Sequence, residues 1–156
     1  YTTARLGKWH LGPDTQGFDV SSADGKGGPS GSFYGNVDVA EQLTDRALQF
    51  IEANRKGPFF LYLSHWDVHT PHRARQKVVE RYQAKLEKSP ADQRRNFKPA
   101  YAGMIEAVDR SVGRVADKVD ELGLGENTLI VFISDNGGDS PAGASSGPLR
   151  GGKAGP

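Results

Sequence analysis

The 156-residue sequence contains no cysteine. Within these residues that excludes a disulfide framework, a thiolate zinc site and a cysteine nucleophile. It leaves the compartment open. No apolar run approaches the ~20 residues a membrane-spanning helix needs, so no membrane partner is expected. Neither sign of charge is in excess, with 20 Lys and Arg against 19 Asp and Glu, and global charge therefore points to no nucleic acid. No internal repeat is visible. The length suits at most one domain with a real core. The sequence does not begin with Met, no signal-peptide pattern precedes Tyr1, and it stops inside a glycine-rich stretch after Gly152. It is expected to be an internal segment of a longer protein.

What is present is organised around Thr128-Leu129-Ile130-Val131-Phe132-Ile133, which runs into Ser134-Asp135-Asn136-Gly137-Gly138. A continuous apolar run bounded by turn residues predicts a strand buried on both faces of a parallel sheet. Ligands of open α/β sheets sit just beyond the carboxyl ends of strands. Asp135 and Asn136 stand at that end, and two successive oxygen-bearing side chains suit Ca²⁺ or Mg²⁺. The same four residues equally suit an Asx turn closing a strand.

Residues 2–6 carry weak strand character and lead into Gly7-Lys8-Trp9-His10-Leu11-Gly12. The next stretch, to Gly35, has the Gly, Ser, Asp and Pro content of a long loop. Val39, Leu43, Ala47, Phe50 and Ile51 recur at helical spacing, predicting a helix over 37–54 with Asn36 or Asp38 as N-cap. Gly57-Pro58 ends it, and Phe59-Phe60-Leu61-Tyr62-Leu63 predicts a second buried strand. That strand delivers Ser64-His65-Trp66-Asp67-Val68-His69-Thr70-Pro71-His72. Residues 73–98 hold nine Lys or Arg against three Asp or Glu. They read as the solvated face of a helix over 76–88 plus a loop, with docking of an anionic polymer as the alternative. A long helix is predicted over 99–122, its apolar stripe running Tyr101, Met104, Ile105, Val108, Val112, Val115, Val119, Leu122, with Gly123 as its stop. Alternating strands and helices predict an α/β fold with a largely parallel sheet.

Chemistry gathers where the apolar runs stop: Lys8 and His10, His69, Asp135 and Asn136, with Lys153 beyond. Two ammonium groups, two imidazoles and a cation would form an electropositive pocket. Such a pocket fits a sulfate or phosphate ester, whose charge builds up on transfer. Lysine serves there as a point charge, and histidine can donate a proton to a departing alcohol. His65, His69 and His72 have the spacing H-x3-H-x2-H, a weak zinc pattern on a loop with no evident fourth ligand.

In this setting Gly7-Lys8-Trp9-His10-Leu11-Gly12 resembles the second signature of the sulfatase family. His69-Thr70-Pro71 resembles that family's next active-site histidine, Ser134-Asp135-Asn136-Gly137 its metal-binding strand end, and Leu149-Arg150-Gly151-Gly152-Lys153 its distal substrate lysine. Four motifs in the family's order make the conjunction far more specific than any one of them. The resemblance implies an alkaline-phosphatase-like α/β fold, incomplete at both ends, and hydrolysis of aryl or carbohydrate sulfate esters. It implies Ca²⁺ (in preference to Mg²⁺) on Asp135 and Asn136, and sulfate oxygens on Lys8 and Lys153. His69 would bind the ester and protonate the leaving oxygen, while His10 would steady a hydrated formylglycine and help expel sulfate. His65 and His72 match no essential position and are expected as loop residues at the pocket. By the same resemblance the protein is expected to be periplasmic or secreted.

The Cys/Ser-x-Pro-Ser-Arg motif that yields formylglycine in the family does not occur in the sequence, nor does the early Asp pair that completes the metal site. In the family both precede the Gly-Lys-Trp-His stretch. Residues 1–156 are therefore expected to be the central part of one sulfatase catalytic domain, inactive alone. The alternatives are a phosphate or phosphonate ester hydrolase of the same superfamily, and a non-catalytic relative that binds sulfated glycans.

Overall fold

A computed structural model describes residues 1–9, 11, 15–22, 36–91, 98–139, 143–153 and 155. Strand β1 (Thr2–Gly7) lies at the centre of a three-stranded parallel sheet, between β2 (Val20–Ser21) and β3 (Phe59–Ser64). Its register with β3 is unbroken from Thr2 opposite Phe59 to Gly7 opposite Ser64. The short β2 falls inside the stretch predicted as loop, where Asp19 accepts hydrogen bonds from the Thr3 amide and hydroxyl at 2.8 Å. Those bonds hold its carboxyl below the usual range, backbone bond first.

Helix α1 (Val39–Asn54) crosses one face of the sheet. Its 3.6-residue pattern turns Val39, Leu43, Ala47 and Ile51 inward, as predicted. Val39, Leu43 and Ala47 form one cluster with Leu6 and Trp66, with Leu61, Leu63 and Val115 packed against it. Burying side chains of this size stabilises the fold by roughly 1.5–3 kcal/mol each. Asp38 is the N-cap residue but makes no side-chain cap bond; its own amide donates to Asn36 Oδ1.

Helices α2 (Gln76–Glu87) and α3 (Pro99–Glu121) form an outer layer, with α3 on both α1 and α2. Arg114 bonds Asp45, and Lys118 approaches Glu52 at 3.9 Å, so α1 and α3 run in the same direction. Pro at the start of α3 fits the helix entry, and Gly123 (φ +69°) leaves it with its N–H on the Asp120 carbonyl.

Two predictions are corrected. The run Leu129–Ile133 is not a strand buried on both faces: it joins no ladder among the described residues, and Leu129 is 86% and Ile133 76% exposed. A strand needs a neighbour to bury it, and the described sheet ends at β3, where Phe60 and Tyr62 are exposed too. The stripe on α3 is also narrower than predicted. Met104 and Val119 are buried beside Gly103 and Ser111, whereas Ile105 is largely exposed.

Candidate active site

Parallel strands share a carboxyl end, and β1 and β3 both stop there with a polar segment. Gly7 closes β1 with φ +100°, and a Cβ at that position would lie 1.9 Å from the Ser64 carbonyl oxygen. Only glycine permits that approach. It lets the Gly7 amide donate to Ser22 Oγ and the Lys8 amide donate to Ser64 O, both at 2.8 Å. The Lys8 backbone is thereby anchored on the end of β3, and that of Gly7 before it on the Ser22 side chain. Its ammonium reaches Asp135 Oδ2 at 3.2 Å across 127 positions.

Asp135 sits on a loop that closes on itself. Ser134 Oγ donates to the Asn136 carbonyl at 2.6 Å, and the Gly138 amide donates to Ser146 Oγ at 2.8 Å. The Lys153 amide donates to the Gly138 carbonyl at 2.9 Å. A Cβ on Gly137 would meet Gly152 Cα at 2.9 Å, so bare backbone is what lets the Lys153 segment return to this loop. Lys8, Asp135, Asn136 and the Lys153 backbone are thus brought together. His10 lies outside the described residues.

At the end of β3, Trp66–His69 forms a turn in which the His69 amide donates to the Trp66 carbonyl at 2.9 Å. His69 Nδ1 lies 2.7 Å from the Thr70 carbonyl oxygen. A carbonyl can only accept, so Nδ1 carries the proton. His72 packs on the Tyr101 ring, centroids 4.9 Å apart. Burial first, then Lys98 and His69, lower its pKa, while Asp139 acts the other way.

His65 lies in the loop after β3, as expected from the sequence. It is largely buried, its Nε2 lies 3.0 Å from Ser111 Oγ, and burial pushes its pKa down to about 4. Asp67 is half-buried, and desolvation pushes its carboxyl up to about 6. Two unpaired signals stood in the sequence: Thr44 and Ser111 are hydroxyls at otherwise apolar helix positions. A cavity of about 100 Å³ lies away from Lys8, between α1, α3 and the His69 loop, lined in part by Thr44, Asp67, Arg73, Met104 and Ser111.

Asp135 and Asn136 offer the oxygen donors that a hard cation takes. Their chemistry fits Ca²⁺, but two side chains fall short of its six to eight ligands. No group of three or more His, Cys, Asp or Glu able to hold a metal occurs among the described residues. In this structure the Lys8 ammonium neutralises Asp135.

The described residues define an α/β class of protein, with Lys8 and the oxygen donors of Asp135 meeting beyond the end of β1. The comparisons narrow it: the chain matches the sulfatase family model over residues 1–155 and belongs to the sulfatase family. Mouse steryl-sulfatase is 36% identical over 128 residues, covering 77% of this chain and 18% of that protein. Mouse arylsulfatase J is 29% identical, covering 98% of this chain and 30% of that protein. The crystal structure of Ps i-CgsB in complex with k-i-k-neocarrahexaose matches with a TM-score of 0.74 and 28% identity, over 98% of this chain and 41% of that one. The fold is accordingly alkaline-phosphatase-like, and the chain spans well under half the length of these relatives.

Proposed function

We propose that the protein hydrolyses sulfate esters of aryl alcohols or carbohydrates. The observation that carries this reading is the meeting of Lys8 with Asp135, which joins two of the family's motifs at the carboxyl end of the sheet. The Lys8 and Lys153 ammonium groups hold sulfate oxygens and offset charge that grows in the transition state. His69, fixed through Nδ1 on the Thr70 carbonyl, binds the ester through Nε2. In its doubly protonated form it releases that Nε2 proton to the leaving alkoxide or phenoxide. Asp135 and Asn136 would hold a Ca²⁺ ion, which would supply positive charge against the sulfate oxygens. The nucleophile, a hydrated formylglycine in this family, lies outside these residues, and His10 acts beside it. Residues 1–156 are then the central part of one catalytic domain, and isolated they are inactive.

The test is turnover by the intact protein of an aryl sulfate and sulfated disaccharides, beside an aryl phosphate. Sulfate release that depends on Lys8 and His69 supports the reading. Hydrolysis of the phosphate alone moves the protein to the phosphoryl-transfer branch.

A further inference from the structure

The buried hydroxyls on α1 and α3 form one continuous chain with His65. Thr44 Oγ1 lies 2.6 Å from both the Ala40 carbonyl oxygen and Ser111 Oγ, and Ser111 Oγ lies 3.0 Å from His65 Nε2. Thr44 and Ser111 are both buried, on the wall of the cavity between α1 and α3. Each hydroxyl has one proton to give, and the Ala40 carbonyl can only accept. Thr44 must therefore donate to Ala40. Ser111 must donate to Thr44, and the remaining lone pair of Ser111 must receive a proton from His65 Nε2. Counting protons from the carbonyl end fixes His65 as the Nε2–H tautomer. Its Nδ1 is then a bare acceptor, and that atom is buried without a hydrogen-bond partner.

His65 is the last residue before the turn that presents His69. Trp66, next in sequence, is buried against Leu6, Val39, Leu43 and Ala47, and its carbonyl accepts the His69 amide. One end of the turn is thus tied to both α1 and α3 by hydrogen bonds, and its first residue is packed into the core.

We propose that His65, through Ser111 and Thr44, is a positioning residue that holds the Trp66–His69 turn and so places the His69 imidazole against the ester. The effect of this placement on turnover rests on the sulfate-ester reading; the tautomer and the tethering of the turn do not. The chain is directional: protonating Nδ1 would create a buried donor with nothing to receive it.

The test compares the intact wild-type protein with Ser111→Ala, Thr44→Val and His65→Gln. Glutamine can place its amide nitrogen where His65 has Nε2. Hydrogen exchange of the His69 amide should accelerate at least tenfold in Ser111→Ala and Thr44→Val, with the β1 amides unchanged. His65→Gln should keep exchange close to wild type. The kcat on an aryl sulfate should fall about tenfold in the two hydroxyl variants and recover in His65→Gln, with KM within twofold throughout. Imidazole ¹⁵N shifts should show His65 protonated at Nε2 alone between pH 6 and 8. Unchanged His69 exchange, an Nδ1–H tautomer, or a kcat that holds while the amide loosens would each overturn the proposal. Looser exchange in a protein that cleaves no sulfate ester supports the tethering and removes the sulfate reading instead.

Discussion

The Lys8 ammonium lies 3.2 Å from the Asp135 carboxylate, although 127 positions separate the two residues. Lys8 is mostly buried at the end of β1, whereas the Asp135 side chain is 68% exposed. A pair with one partner this exposed adds at most about 1 kcal/mol to stability. Its importance is that it gathers positive charge and oxygen donors at one place.

That imbalance sets the first prediction. Asp135→Ala should leave the melting temperature of the intact protein within a few degrees of wild type, while Ca²⁺ retained after desalting, measured by atomic emission, falls sharply. Full Ca²⁺ retention in the variant would remove Asp135 from the metal site.

Gly7→Ala should be severe. The added methyl would overlap the Ser64 carbonyl oxygen, and φ +100° is itself unfavourable for alanine. Backbone incompatibility of this kind costs upward of 1 kcal/mol, and the overlap adds to it. Chemical denaturation should show the loss, whereas Gly57→Ala, with open space around it, should be nearly neutral.

The titratable pair His65 and Asp67 gives opposite pH slopes. Burial lowers His65 to about 4, so its contribution is present above its unfolded pKa near 6.5 and is lost as pH falls towards 4. Burial raises Asp67 to about 6, so its contribution is present below about 3.8 and is lost as pH rises through 6. Between pH 4 and 6 the two slopes oppose each other. Relative to wild type, Asp67→Asn should lose stability on acidification across that window, by up to about 1.4 kcal/mol per pH unit. His65→Gln should lose stability as pH rises across it. Urea unfolding at a series of pH values reads both; parallel curves for all three proteins would contradict the burial of these groups.

Local pattern made the helices legible. In α1 the spacing of Val39, Leu43, Ala47 and Ile51 alone marks the face that is buried, and Gly57-Pro58 marks its end. Strands were less legible because their burial depends on neighbours. The runs 59–63 and 128–133 are both almost wholly apolar, yet among the described residues only the first is in the sheet. Lys8 and Asp135, both marked by neighbouring glycines in the sequence, do meet, whereas the contact of His65 with Ser111 was not legible. Its partner is 46 positions away on another helix, and nothing in the local spacing of histidines distinguishes a tethered imidazole from one facing substrate.

The most direct test of the account is a double-mutant cycle on Lys8 and Asp135, read as kcat/KM for an aryl sulfate in the intact protein. Each single alanine variant should lower kcat/KM by about 10²–10³-fold, the scale of removing one transition-state donor. If both serve one sulfate site, the double variant should be little worse than the more damaged single one, because groups acting as a unit are not additive. Losses that simply multiply, or single variants that keep wild-type turnover, would contradict a shared site.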